Sequence, residues 1–331
     1  VIGSTVARLR PKCEVDGRFL FHQLARHFAW IQARRTGTGV PHVPKDLGNT
    51  LFLTLPSSER EQFRIAAVLD TVDEAIAKTE AVIAKLKQVR GGLLHDLLTR
   101  GLDEHGQLRD PIAHPEQFQD SPFGRIPREW EVCLLDEVAV RGSGHTPNKD
   151  VPSYWNGGIK WVSLADSDKL DRIYISETDK QISELGIENS SAVRHPAGTV
   201  ILSRDAGIGK SAILVEEMAV SQHFMAWRCG KRLHNIYLYY WLQHNKPRFE
   251  AIAMGSTIKT IGLPYFKLLR IAVPARQEQE ATSQVMLHAE EAIATEEKEL
   301  AKRHMLKAGL MTDLLTGRVR VPEHVRVGGV N

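Results

Sequence analysis

Gly207-Ile208-Gly209-Lys210-Ser211 is the stretch of this 331-residue chain that comes nearest to a phosphate-binding loop. Such a loop needs another glycine five positions before its last one, and a helix after it whose N-terminus faces the phosphate. Position 204 is Arg, and Ala212-Ile213-Leu214-Val215 favours a strand. The pattern therefore predicts a β-hairpin with a basic tip, carrying Arg204 and Lys210, rather than a nucleotide site. The fourteen histidines have no metal-ligand spacing, and His195 and His223 are expected to be structural. Cys13, Cys133 and Cys229 are isolated and odd in number, which argues against a disulfide framework and a zinc cluster. A nucleophile elbow, paired catalytic carboxylates and a dinucleotide fingerprint are all missing from the sequence, so nothing in it marks an enzyme.

Other loops have a different chemistry. Gly142-Ser143-Gly144-His145-Thr146-Pro147-Asn148-Lys149 is small, flexible and rich in hydrogen-bonding groups. Tyr154-Trp155 and Trp161 flank a Gly-Gly turn, and Thr257-Ile258-Lys259-Thr260 precedes the second long helix. Base edges are read by Arg, Lys, Asn, Ser and Thr side chains, and phosphates are held by basic groups and backbone N–H. Ser143, His145, Thr146, Lys149, Arg204, Lys210, Lys259 and Thr260 form the expected contact set for a nucleic acid. The net charge of +3 adds little, but residues 1–60 carry nine Lys/Arg against four Asp/Glu. No run of 18 apolar residues and no signal peptide is present, which gives the expectation of a cytoplasmic protein without membrane contact.

The elements that position these loops are written into an internal duplication. Glu61-Gln62 recurs as Glu278-Gln279, Glu74-Ala75-Ile76-Ala77 as Glu291-Ala292-Ile293-Ala294, and Asp96-Leu97-Leu98-Thr99 as Asp313-Leu314-Leu315-Thr316, each 217 positions on. In the first copy Ile65, Leu69, Val72, Ile76, Ile83, Leu86, Leu93 and Leu97 make a heptad seam interrupted by Thr79 and Arg90, the pattern of a long helix packed on another. The second seam is weaker, with Glu296, Arg303 and Lys307 at core positions. Ser58-x-x-Glu61 fits a capping box, and Gly101 and Gly317 follow the last apolar residues, where a left-handed residue is wanted.

The duplication extends upstream with one residue of slippage. Phe19-Leu20-Phe21 matches Tyr237-Leu238-Tyr239, Gly37-Thr38-Gly39-Val40 matches Gly255-Ser256-Thr257-Ile258, and Pro56 matches Pro274, all 218 apart. The layout expected is the C-terminal part of a first domain over 1–55, a long helix over 56–101, a linker over 102–122, a complete domain over 123–273, a second long helix over 274–317 and a tail over 318–331. Within the complete domain, 159–163, 198–202 and 211–215 read as strands, and 235–243 as a buried helix or strand. Position 1 is Val, and roughly the first hundred residues of a first copy have no counterpart, so an N-terminally truncated chain is expected.

Gly124-x-Ile126-Pro127-x-x-Trp130-Glu131-Val132, Thr146-Pro147, Tyr154-Trp155, Gly158-Ile159-x-Trp161-Val162, Ser203-Arg204-x-x-x-Ile208-Gly209-Lys210, Gly255-Ser256-Thr257 and Leu314-Leu315-Thr316-Gly317 together with the duplicated layout resemble the specificity (S) subunit of type I restriction–modification systems. The resemblance implies an α+β chain: globular mixed α/β target recognition domains joined by two long antiparallel coiled-coil helices. It implies a non-catalytic reader of a bipartite site in double-stranded DNA, with methyltransferase (M) and restriction/motor (R) subunits as partners. S-adenosylmethionine, ATP and magnesium would belong to those partners, with no cofactor on this chain. Because each domain precedes its helix, antiparallel pairing would place the domains at opposite ends, as DNA half-sites are arranged. The competing expectations are the specificity module of a related single-complex restriction–modification enzyme, and a coiled-coil scaffold that never meets DNA.

Overall fold

The computed structural model describes residues 9, 11, 14–36, 42–43, 47–255 and 259–322. Cys13 and the compared stretches 37–40 and 256–258 lie outside them. The chain folds as two compact units, residues 1–87 with 291–331, and residues 88–290. Helices and strands are numbered in chain order.

The first unit is helical. α1 (Gly17–Arg26) is capped by Asp16, whose Oδ1 accepts from the Arg18 and Phe19 amides. Its buried residues Phe19, His22 and Gln23 are three and four apart and so share one face. α2 (Phe28–Ala33) and α3 (Leu47–Thr50) follow, then the opening of α4 (Glu59–Thr99). Phe19 packs with Ile65 and Leu69 of α4 and with Leu314 and Leu315 from the end of α10 (Arg276–Leu315). Lys307 pairs with Asp73 at 2.5 Å and Glu297 with Lys87 at 2.7 Å, so in this unit α10 runs antiparallel to α4. Two of the polar seam positions of the second helix, Arg303 and Lys307, are thereby matched. Lys307 has its carboxylate, and Arg303 donates to the Ala75 carbonyl at 3.2 Å. Thr79, the polar interruption in α4, is buried and returns its hydroxyl to Ala75 O.

The second unit is a mixed α/β body. Its strands are β1 (Phe118–Ser121), β2 (Gly124–Pro127), β3 (Glu131–Leu134), β4 (Ala139–Ser143), β5 (Trp155–Val162), β6 (Tyr174–Ile175), β7 (Lys180–Ile182), β8 (Arg194–His195), β9 (Val200–Ser203), β10 (Ser211–Leu214), β11 (Met218–Val220), β12 (Phe224–Cys229) and β13 (Arg270–Val273). A five-stranded sheet has the order β4-β12-β9-β10-β6, a four-stranded sheet the order β7-β5-β11-β8, and β1-β2 and β13-β3 are two-stranded. The inner strands β9 and β10 are buried at every position, as strands covered on both faces are. Their side chains divide with period two. Val200, Leu202, Ile213, Met225 and Trp227 join the core that contains α7 (Asn235–His244), while Ile201, Ala212, Leu214, Phe224 and Ala226 meet Val162 of β5 and Val220 of β11.

α7 buries six consecutive residues, Tyr237 to Leu242, which explains why 235–243 shows no usable period. Filling such positions with large side chains contributes about 1.5–3 kcal/mol each. Short helices α5 (Leu135–Val138), α6 (Glu184–Glu188), α8 (Lys246–Ile252) and α9 (Leu263–Lys267) close the corners. The end of α4 contributes Leu94, Leu97 and Leu98 to this unit's core, the start of α10 contributes Met286, and Arg90 pairs with Glu290 at 2.5 Å.

Two local expectations change. The 102–122 stretch, expected as a linker, contains β1, and its Arg109 is buried in an ion pair with Glu278 at 2.7 Å. Its Pro and Gly residues shape turns rather than an open tether. Glu61 does not fold back as a capping-box partner of Ser58. The Arg320 guanidinium takes its carboxylate at 2.9 and 2.5 Å and holds its pKa below the ordinary carboxylate range.

Candidate nucleic-acid interface

The turn between β11 and β12 carries the chain from the four-stranded sheet to the five-stranded one, through Ser221-Gln222-His223. Three hydrogen bonds fix its backbone. The Ser221 amide donates to Val162 O at 2.8 Å, the Phe224 amide to Ser221 O at 3.1 Å, and the Arg204 amide to His223 O at 2.9 Å. The chain leaving β4 passes against the same place. At Gly144 a Cβ would lie 1.6 Å from Val220 O, so only glycine lets the 144–149 loop come this close.

Around the turn is a cleft of about 280 Å³ lined by Thr146, Lys149, Trp155, Trp161, Lys180 and Gln222, among others. Its aromatic wall is a Trp155–Trp161 pair packed edge to face with centroids 5.2 Å apart. Trp161 is buried and donates its indole N–H to His145 O at 3.0 Å, while Trp155 donates to Asn148 O at 3.1 Å, so the two indoles pin the 144–149 loop. Lys149 and Lys180 are exposed at the rim, with Lys180 Nζ 6.0 Å from the Trp155 ring. The cleft thus combines cationic groups, stacking surface and hydrogen-bonding side chains, the equipment of a nucleic-acid contact.

The eight expected contact residues fall in different places. Thr146 and Lys149 line the cleft, and His145 is exposed beside them. Ser143 sits in the β4–β12 ladder and donates its hydroxyl to Phe224 O at 2.9 Å. Beneath it, His195 Nε2 donates to Ser143 O at 3.1 Å, and burial pushes the His195 pKa down, which fits the structural role expected of it. The β9–β10 hairpin is present, but its tip is not a free basic one. Arg204 Nε donates to Ile261 O at 3.0 Å, and Lys210 Nζ to Ser167 O at 2.8 Å. Thr260 forms isolated bridges with Asp205 and Met254, and Lys259 is exposed next to it. The structure therefore groups His145, Thr146 and Lys149 at one cleft, sets Arg204, Lys259 and Thr260 beside it through the Asp205 bridge, and gives Ser143 and Lys210 internal hydrogen bonds.

Gln222 and Lys180 are among the cleft residues that sequence reasoning missed, and His223, expected to be structural, lines the cleft as well. Gln222 Oε1 accepts from the Thr146 hydroxyl at 2.6 Å, and His223 Nδ1 lies 2.7 Å from Asp205 Oδ2. The available signal was a polar triplet between two apolar strands, and it says turn without saying which cleft the turn faces. Among the described residues no group of three His, Cys, Asp or Glu could hold a metal ion, and no helix is long and apolar enough to cross a membrane.

Residues 127–302, more than half of the chain, match the type I restriction modification DNA specificity domain, and the protein belongs to that family. It is a DNA-recognising, non-catalytic subunit of the restriction–modification class, as the resemblance implied. Among its relatives is the type I restriction enzyme MjaVIII specificity subunit of Methanocaldococcus jannaschii, 25% identical over 332 residues that span 97% of this chain and 75% of that protein. The MjaIX specificity subunit of the same organism is 26% identical over 185 residues, 55% of this chain and 43% of its own. The fold is similar to that of the HsdS subunit from Thermoanaerobacter tengcongensis, with a TM-score of 0.53 and 18% identity over 91% of this chain and 70% of that one. It is also similar to a chain in a structure of the type I R-M system, with a TM-score of 0.59 and 19% identity over 92% and 72% of the two chains.

Proposed function

We propose that the second unit reads one part of a DNA target through the cleft at the Ser221-Gln222-His223 turn, and that the chain brings methyltransferase and restriction/motor subunits to that target. The observation that carries this reading is the convergence of Lys149, Lys180, Thr146 and Gln222 on an aromatic-walled cleft in a member of a DNA specificity family. In it, Lys149, Lys180 and Lys259 hold phosphates, while His145 and the turn approach base edges and Thr146 holds Gln222 of the turn in place. Arg204 and Thr260 support the rim, and Ser143 and Lys210 hold the loops in place. S-adenosylmethionine, ATP and magnesium are assigned to the partner subunits.

Selection from a random duplex pool by the chain assembled with its methyltransferase partner tests the reading. A recurrent sequence is expected. Uniform binding that only weakens with salt would contradict it, because phosphate contacts alone carry no sequence information. Lys149→Ala is expected to weaken all sequences alike and to lower the salt slope by about one.

A further inference from the structure

We propose that Gln222 and His223 form a single adenine-reading pair, held in register by Asp205 and Thr146 as positioning residues. The inference rests on the DNA-reading assignment above and adds which base is read and by which atoms.

Four side chains make one hydrogen-bonded row. Asp205 Oδ2 lies 2.7 Å from His223 Nδ1, His223 Nε2 lies 3.4 Å from Gln222 Nε2, and Gln222 Oε1 lies 2.6 Å from Thr146 Oγ1. A carboxylate only accepts, so the His223 Nδ1 carries a proton that it donates to Asp205. In the neutral ring that leaves Nε2 as a lone pair, and the group facing it has to be a donor. The Gln222 amide nitrogen therefore faces the ring, its oxygen faces the Thr146 hydroxyl, and the hydroxyl donates to it. Each member fixes the tautomer, flip or rotor of the next, so the row has one consistent arrangement. It is anchored where Asp205 is 7% exposed, and it emerges at Gln222, which is exposed.

At its outer end the row presents an amide N–H donor beside an imidazole acceptor, on a backbone fixed on both sides. In the major groove adenine offers the complement, an N7 acceptor next to an N6 amino donor. Guanine offers two acceptors, N7 and O6, and the second would face the His223 lone pair. The pair thus favours adenine by attraction and disfavours guanine by lone-pair repulsion. The weak 3.4 Å contact between the two nitrogens is the one exchanged for the base, while the Asp205 and Thr146 bonds remain and keep the geometry.

Base analogues placed in the selected duplex test this atom by atom, using the full chain with its methyltransferase partner. Each adenine of the selected site is replaced in turn by 7-deazaadenine, which lacks N7, and by purine, which lacks the N6 amino group. At one adenine, wild type is expected to lose roughly 5- to 150-fold in affinity with guanine, and to lose affinity with either analogue. Gln222→Ala is expected to become indifferent to 7-deazaadenine at that position and to keep its response to purine. His223→Ala is expected to show the reverse. Asp205→Asn, which no longer requires a proton on Nδ1, is expected to lose the preference for adenine over guanine there while unselected DNA binds within about twofold of wild type. Gln222 is exposed, so its variant keeps the fold even if Asp205→Asn does not. A selected sequence at which neither Gln222→Ala nor His223→Ala changes any analogue response would overturn the adenine pair and leave DNA reading intact. No selected sequence at all would remove the reading on which the pair rests.

Discussion

The two copies of the helix-opening motif differ in what covers them and agree in how they are tied. Gln62 donates to Glu14 O and Pro56 O and accepts from the Asp16 amide. Gln279, 217 positions on, donates to Arg232 O and Pro274 O and accepts from the His234 amide. These partners correspond one to one, and in each case the glutamine locks the start of a long helix to the residue before a short one, α1 or α7. Above this shared node the copies part. Tyr239 of α7 is 1% exposed beneath β9 and β10, whereas its counterpart Phe21 of α1 is 60% exposed. β13 pairs with β3, while the matching residues 52–55 have no ladder among the described residues. The helix-docking device is present twice, and the sheets that build the cleft at the 221–223 turn are described once, in the second unit.

The largest effect expected from this comparison lies in the ion pairs beside the two nodes. Glu278 accepts from Arg109 at 2.7 Å, from the Leu102 amide at 2.9 Å and from the Trp130 indole at 3.2 Å. Burial would lower the Arg109 pKa, but the Glu278 and Glu129 carboxylates together outweigh it and keep the pKa raised. Glu278→Ala leaves a guanidinium with 8% side-chain exposure without its main partner, at a cost of about 3 kcal/mol. Glu61→Ala releases Arg320, whose side chain is 76% exposed, and costs about 1 kcal/mol or less. Denaturant midpoints of the two variants check the order, and equal losses would mean that the two pairs do the same job.

A smaller contrast separates the two helix-ending glycines. Gly101 has φ +64° and Gly317 φ +75°, both in the left-handed region that the sequence pattern called for. A Cβ at Gly101 would meet Glu278 Oε1 and crowd Trp130 and Arg109, whereas at Gly317 it would meet nothing within 4 Å. Gly317→Ala is expected to cost about 1 kcal/mol through its backbone alone. Gly101→Ala is expected to cost two to three times as much, about 2–3 kcal/mol, because it also disturbs the Glu278 cluster. Thermal midpoints would sharpen the comparison.

The smallest expected effect is that of mild acid. Burial lowers the pKa of His195, His234 and His244 in the second unit, and of His27 in the first, with Arg26 adding to the last. A depressed pKa means that the unfolded chain takes up a proton that the folded chain refuses. The associated stability is full above about 6.5 and is lost as pH falls through the window below it. With three such groups against one, the second unit is expected to weaken first between pH 7 and about pH 5. It holds Trp130, Trp155, Trp161, Trp227 and Trp241, while Trp30 lies in the first, so thermal midpoints from tryptophan emission report mainly on it. A midpoint that rises on acidification would contradict the assignment.

Much of the architecture was legible because its signals are local. The heptad seams, the left-handed glycines and the strands over 159–163, 198–202 and 211–215 each follow from neighbours a few residues apart. The 235–243 segment stayed ambiguous because a helix buried on every side has no polar face to set a period. The linker reading of 102–122 missed Arg109, because its partner Glu278 lies far along the chain. The cleft was legible only in part for the same reason. Thr146 meets Gln222 across 76 positions and Arg204 meets Ile261 across 57, so pairing, and not residue type, decides which loops come together. Arg204 and Lys210 are basic loop residues, as read, but carbonyl oxygens occupy them both.

Hydrogen exchange of the chain with its methyltransferase partner, with and without its selected duplex, tests most directly whether the second unit's cleft is the reading surface. DNA is expected to slow exchange at residues 144–149 and 221–224 and to leave 17–26 unchanged. Protection at 17–26 with none at the 221–224 turn would contradict it.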